Sequence, residues 1–174
     1  MSKIDYDLKK IRAFVFDVDG VLSPNIVSID SNGNPTRMSN VKDGYGIQLA
    51  SKRGYRLAII SGADTETVRR RYELIGIKDI YLKSSEKLSV LRRWMESNGL
   101  VPEEVAYVGD DLPDLPCMHY VGLAVAPADA AIDVIDIAQY ISPYNGGYGV
   151  ARDLIEQTMR AQGTWIHDHT ALAW

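Results

Sequence analysis

The chain has 174 residues, of which 46% are hydrophobic and 24% charged, and its formal net charge is −4. That length fits one domain that buries roughly two-thirds of its unfolded surface, and the composition sets aside disordered, collagen-like and membrane classes. A negative balance argues against nucleic acid as a partner, so an anionic ligand would need a locally positive pocket.

Cys117 is the single cysteine, which permits no disulfide within the chain and reads as a small packed residue. Met1 to Lys10 alternates charged and apolar residues without the apolar centre of a secretion signal, and no run has the length of a membrane span. The expectation is a cytoplasmic protein with no membrane partner.

Arg12 to Phe16 is a short apolar run ending at Asp17 and reads as a strand buried on both faces. Ile26 to Asn40, centred on Ser31-Asn32-Gly33-Asn34-Pro35, breaks the pattern and reads as an inserted β-hairpin. A helix over Gly46 to Arg53 follows, then a strand over Arg56 to Ile60 and a helix over Asp64 to Ile75, with Asp64 or Thr65 as its cap. The unit repeats as strand Asp79 to Leu82, helix Ser85 to Asn98 and strand Val105 to Val108.

Beyond Gly109 the pattern gives a short helix, a strand at Gly122 to Val125, a helical turn at Ala130 to Ile135, a strand at Ala138 to Ile141 and a last helix over Val150 to Ala161. This alternation predicts an α/β chain: a Rossmann-like, doubly wound parallel sheet, with the hairpin of residues 26–40 as a flap and no cap domain. No linker or repeat divides it, so residues 1–174 are read as one domain ending in a tail, residues 164–174. Ligands of such sheets sit beyond the carboxyl ends of the strands.

Two acidic clusters fall at those ends. Asp17 and Asp19 follow the first strand, and Asp110, Asp111 and Asp114 follow the strand at Val105 to Val108. Magnesium takes a few hard oxygen ligands, so Asp17 and Asp110, with a backbone carbonyl near Asp19, are its candidate holders. For Asp111 and Asp114, helix capping and a supporting role weigh equally. Ser61 and Gly62 end the second core strand and Lys87 starts a helix; a hydroxyl, free backbone N–H groups and an ammonium suit phosphate oxygens.

These elements, in this order, resemble the haloacid dehalogenase superfamily of phosphatases. The resemblance implies that Asp17 attacks phosphorus, Asp19 acts as acid and base, magnesium neutralises charge, and Ser61 and Lys87 bind the phosphoryl group. Asp43-Gly44-Tyr45-Gly46-Ile47, Val105 to Asp111, Val121 to Ala130 and Gly146-Gly147 with Arg152 are similar to the 3-deoxy-D-manno-octulosonate 8-phosphate phosphatase family. That implies a sugar-acid phosphate substrate for lipopolysaccharide core-sugar synthesis and a homotetramer whose hairpins and tails cover neighbouring sites. Asp43 and Arg152 join the substrate-binding candidates, Arg152 through a two-pronged pair with a carboxylate. A surface pair of Arg152 with Asp153 or Glu156 is the competing reading.

Ala63 and Tyr148 depart from the family pattern, where basic or polar residues are usual. They keep open a nine-carbon ulosonate 9-phosphate as the substrate. A non-catalytic oligomerisation module is the reading from another class, and the crowded carboxylates speak against it, being costly without a cation. In the tail, His167 and His169 are too few for a metal site, and its tryptophans favour docking on a neighbouring subunit.

Overall fold

Phe14 and Phe16 point to one face of the first strand and Ala13 and Val15 to the other, and all four are buried. A strand with no solvent face belongs at the centre of a sheet covered on both sides. The computed structural model, which describes residues 3–166, places it there. In chain order its elements are β1 (Ala13–Phe16), β2 (Ser28–Ile29), β3 (Pro35–Thr36), α1 (Val41–Lys52), β4 (Arg56–Ile60), α2 (Glu66–Glu73) and β5 (Asp79–Tyr81). There follow α3 (Lys87–Ser97), β6 (Val105–Val108), α4 (Leu115–Tyr120), β7 (Leu123–Ala126), α5 (Ile132–Ile137), β8 (Tyr140–Ile141) and α6 (Val150–Ala161).

Six strands form one parallel sheet in the order β5-β4-β1-β6-β7-β8. The chain winds outward from β1 through β4 and β5, then returns to pair β6 on the other side of β1. The order therefore reverses at β1, and the crevice beyond its carboxyl end is where such sheets take ligands. Helices α1, α2 and α6 cover the face of Phe14 and Phe16, through Ile47, Tyr72 and Leu154 among others. Helices α3, α4 and α5 cover the face of Ala13 and Val15, through Leu91, Trp94, Met118 and Val134. Cys117 is buried and free in that second layer, as a packed residue should be.

The α/β class and the parallel sheet agree with expectation, and no cap domain stands among the described residues. Two elements differ. Helix α1 begins at Val41, five residues before the expected start, because Asn40 accepts hydrogen bonds from the N–H groups of Lys42 (2.9 Å) and Asp43 (3.2 Å) and so opens the helix early. Gly46, the expected first residue of the helix, lies inside it and is a packing residue. A Cβ there would lie 3.3 Å from Arg152 Cδ, so the bare backbone lets α1 approach α6 closely. The hairpin is present but short, with paired strands of two residues each, Ser28 opposite Thr36 and Ile29 opposite Pro35.

Candidate active site

β1 delivers Asp17 to the sheet edge, where its N–H donates to Val108 O of β6 at 3.1 Å. Its Oδ1 accepts from Val18 N at 2.6 Å and its Oδ2 lies 2.8 Å from Lys87 Nζ. Lys87, the first residue of α3, is 6% exposed and its ammonium also meets Asp114 Oδ1 at 2.8 Å. Burial alone would depress the lysine, but the Asp17 and Asp114 charges outweigh it and hold the ammonium above its ordinary range.

Asp114 is fully buried, and all of its accepting capacity near the site is in use. Oδ1 accepts from Lys87 Nζ and from Tyr107 O–H at 2.7 Å, and Oδ2 accepts from the N–H groups of Asp110 (3.1 Å) and Asp111 (3.4 Å). It therefore organises the 109–114 turn and seats Lys87. Asp111 caps the short turn of Leu112–Asp114 through Leu112 N and stands in the cavity wall.

The carboxylates of Asp17, Asp110 and Asp114 each offer an oxygen within 4.8 Å of the others. Since Asp114 is committed elsewhere, Asp17 and Asp110 are the pair that fits a cation. Burial, then the charges of Asp17, Asp114 and Asp111, push Asp110 up to about 8, with Lys87 offsetting only part. Burial and Asp114 likewise raise Asp17 against the pull of Lys87 and the Ser61 hydroxyl. Such crowding of hard, under-compensated oxygens is the donor set that magnesium prefers. Gly20 makes it possible: at φ +79° it turns the 17–21 loop back, and a Cβ there would sit on Asp110 Oδ2.

Ser61, at the end of β4, is 2% exposed, and its Oγ accepts from Ala63 N at 3.2 Å. With Gly62 and Ala63 it walls a cavity of about 450 Å³ that also includes Asp17, Asp19, Lys87, Asp110, Asp111 and Asp114. Eight of the ten expected site residues thus share one cavity, five of them acidic and Lys87 the one base in its wall. The Asp19 side chain does not join the acidic cluster; it faces Arg37 of the hairpin, Nε to Oδ1 at 2.6 Å and Nη2 to Oδ2 at 2.8 Å.

The other two expected residues, Asp43 and Arg152, are not in that wall. Asp43 is 2% exposed and its Oδ1 accepts from Arg152 N at 2.7 Å, so it caps the start of α6. Its Oδ2 has no partner, and burial pushes the group up to about 6 against the pull of those backbone bonds. The Arg152 side chain pairs with Glu156 at 2.8 Å and lies over the ring of Trp165 at 4.5 Å. Within one chain that is the competing reading of Arg152, with Glu156 as the partner. Trp165 is 5% exposed, held by its own chain, whereas His167, His169 and the rest of the tail, residues 167–174, lie outside the described residues.

Sequence reasoning missed Arg37 and Tyr107, which bond to Asp19 and Asp114, and also Asn25, Ser84, Ser85 and Pro113 of the cavity wall. Tyr107 stands inside a buried strand pattern, and Arg37 inside a polar hairpin, so neither carries a periodic signal.

Comparison with known proteins places this geometry. A family model described as haloacid dehalogenase-like hydrolase matches residues 72–154. The 3-deoxy-D-manno-octulosonate 8-phosphate phosphatase KdsC of Escherichia coli K12 is 41% identical over 155 residues, 89% of this chain and 82% of the relative. The crystal structure of the Yersinia pestis phosphatase of that name superposes with a TM-score of 0.88 at 35% identity, covering 91% of this chain and 85% of that one. The Moraxella catarrhalis phosphatase, in complex with magnesium, phosphate and KDO, gives a TM-score of 0.90 at 31% identity, with 96% of each chain covered. This chain belongs to the 3-deoxy-D-manno-octulosonate 8-phosphate phosphatase family of haloacid dehalogenase-like hydrolases.

Proposed function

We propose that this chain is a magnesium-dependent phosphatase that hydrolyses 3-deoxy-D-manno-octulosonate 8-phosphate to the free sugar acid and phosphate. The observation that carries it is the Asp17–Lys87–Asp114 chain of contacts beside Asp110, in a family whose Moraxella member holds magnesium, phosphate and KDO.

We assign Asp17 as the nucleophile. Its carboxylate attacks phosphorus, the ester P–O bond breaks, and an aspartyl phosphate forms, so one difficult hydrolysis becomes two displacements. Asp19 gives its proton to the departing alkoxide, then takes one from the water that attacks the aspartyl phosphate; cleavage of that bond releases phosphate and restores Asp17. Ser61, the Gly62 backbone and Lys87 receive the phosphoryl oxygens. Asp17 and Asp110, with the Asp19 carbonyl, would hold magnesium, which supplies positive charge against that of the carboxylates and the phosphate. Lys87 keeps its own charge because two carboxylates flank it, and Asp114 keeps Lys87 in place.

We further read residues 1–174 as one domain, acting as a cytoplasmic homotetramer. The lone, buried Cys117 suits a reducing compartment, and the hairpin region exposes Ile26, Ile29, Met38 and Val41, an apolar set that a neighbouring subunit would cover. Any contact of Asp43 or Arg152 with substrate would involve such an assembly.

One observation favours a second substrate. Ala63 leaves a small residue in the cavity wall, which gives room for a nine-carbon ulosonate 9-phosphate. Phosphate release with magnesium from the eight-carbon and nine-carbon esters, beside common sugar phosphates and nucleotides, separates the two. A preference of about a hundredfold for the eight-carbon ester, near 2.7 kcal/mol of transition-state binding, supports the first reading. A nine-carbon preference or a flat profile overturns that substrate while keeping the chemistry.

A further inference from the structure

Arg37 follows β3 directly, and its side chain is 11% exposed although the hairpin before it lies open to solvent. The bonds of Asp30 with Asn32 and Asn34, and of Thr36 with Ser28, stay inside the hairpin. Arg37 reaches out of it. Its guanidinium forks onto both oxygens of Asp19, at 2.6 and 2.8 Å, and its third nitrogen donates to Thr65 Oγ1 at 2.7 Å. Thr65 stands at the cap position of α2 yet makes no cap bond; its hydroxyl serves the arginine instead. One side chain thus spans the loops after β1 and after β4, the two walls of the cavity that carry Asp19 and Ser61.

We propose that Arg37 is a positioning residue for Asp19, so that the placement of the proton donor depends on the seating of the hairpin. This rests on the phosphatase reading above. A carboxylate that is 39% exposed has room to rotate, and a two-pronged guanidinium fixes its plane and direction as a single contact does not. Ser23 Oγ adds one further bond to Oδ1 at 3.3 Å. Each carboxylate oxygen accepts at two lone-pair sites, so Oδ2 retains one outside the fork. The proton that travels to the leaving alkoxide, and the one returned by water, use that side.

The test measures kcat and KM with magnesium for Arg37→Ala and Arg37→Lys, alone and in an Asp19→Asn background. The substrates are the sugar-acid phosphate and p-nitrophenyl phosphate, whose phenolate departs without needing a proton. Arg37→Ala should lower kcat on the sugar-acid ester about tenfold or more with KM moved less than about threefold, and should lower first-turnover release of p-nitrophenolate by far less, because only the later hydrolysis of the aspartyl phosphate, common to both esters, then calls on Asp19. Arg37→Lys should recover part of the loss, and Arg37→Ala should cost nothing more once Asp19 is Asn. Equal losses in first-turnover release from both esters, a rise in KM with kcat intact, or a further loss in the Asp19→Asn background would each overturn the role. A wild-type chain inactive on every ester would overturn the phosphatase reading first, and is told apart because no Arg37 variant enters that result.

Discussion

Lys87 and Asp17 meet at 2.8 Å at the sheet edge, and Lys87 reaches Asp17 in this way because Asp114 grips the same ammonium from the other side. The ammonium is thereby shared between Asp17 and a carboxylate that faces no solvent. Replacing it removes the one positive charge among the carboxylates of the cavity wall.

Lys87→Met should therefore harm both fold and chemistry. Breaking a buried pair leaves its partner uncompensated, at a cost of about 3–5 kcal/mol. Turnover should fall at least about a hundredfold, as when a group stabilising transition-state charge is lost. Urea denaturation and phosphate release measure the two. Because Asp114→Asn removes one stranded charge, the double variant should regain part of the stability; strictly additive losses would contradict the shared-ammonium account.

Gly20→Ala tests the loop that brings the two acidic clusters together. The left-handed backbone and the collision with the Asp110 carboxylate both oppose a side chain there. Magnesium affinity by titration calorimetry should weaken at least about tenfold in a chain that still unfolds cooperatively. Unchanged affinity would separate Asp110 from the metal.

The raised carboxyl groups set a pH dependence whose sign follows from linkage. Asp110 is pushed up from 3.8 to about 8, so the folded chain keeps a proton that the unfolded chain has released. Its contribution is present in full below about pH 4 and is lost as the pH rises toward about 8. Asp43, at about 6, acts with the same sign over the lower half of that window. In chelator, Asp110→Asn should flatten the fall in stability across about pH 4 to 8, and Asp43→Asn only its part between about pH 4 and 6, both read from urea melts. Magnesium competes with the Asp110 proton, so its stabilising effect on the wild type should grow across the window. A magnesium effect that shrinks toward pH 8 would contradict the assignment.

What the sequence made legible follows from how local the signals are. Buried runs such as Arg12 to Phe16 and Val105 to Val108 announce central strands, and the acids placed after them fall at one edge because parallel strands share a direction. Ser61, just after β4, was legible for the same reason, and Lys87 as the residue that starts a helix. The division of labour between Asp110 and Asp114 was not, because it depends on hydrogen bonds from Tyr107 and two backbone N–H groups that meet only in the folded turn. Arg152 and Asp43 carry a motif, yet motif membership does not say which way a side chain faces; the packing of α1 on α6 turns Asp43 to the helix end and Arg152 to Trp165. Arg37 was invisible because its partners lie in two other loops.

The most direct test of the account is magnesium-dependent phosphate release from 3-deoxy-D-manno-octulosonate 8-phosphate by the wild type and by Asp17→Asn, with folding checked by circular dichroism. The wild type should turn over and lose activity in chelator, while a folded Asp17→Asn should fall by at least about 10⁴-fold, since no carboxylate remains to carry the phosphoryl group. Substantial turnover by the folded variant would contradict Asp17 as the nucleophile and, with it, the mechanism.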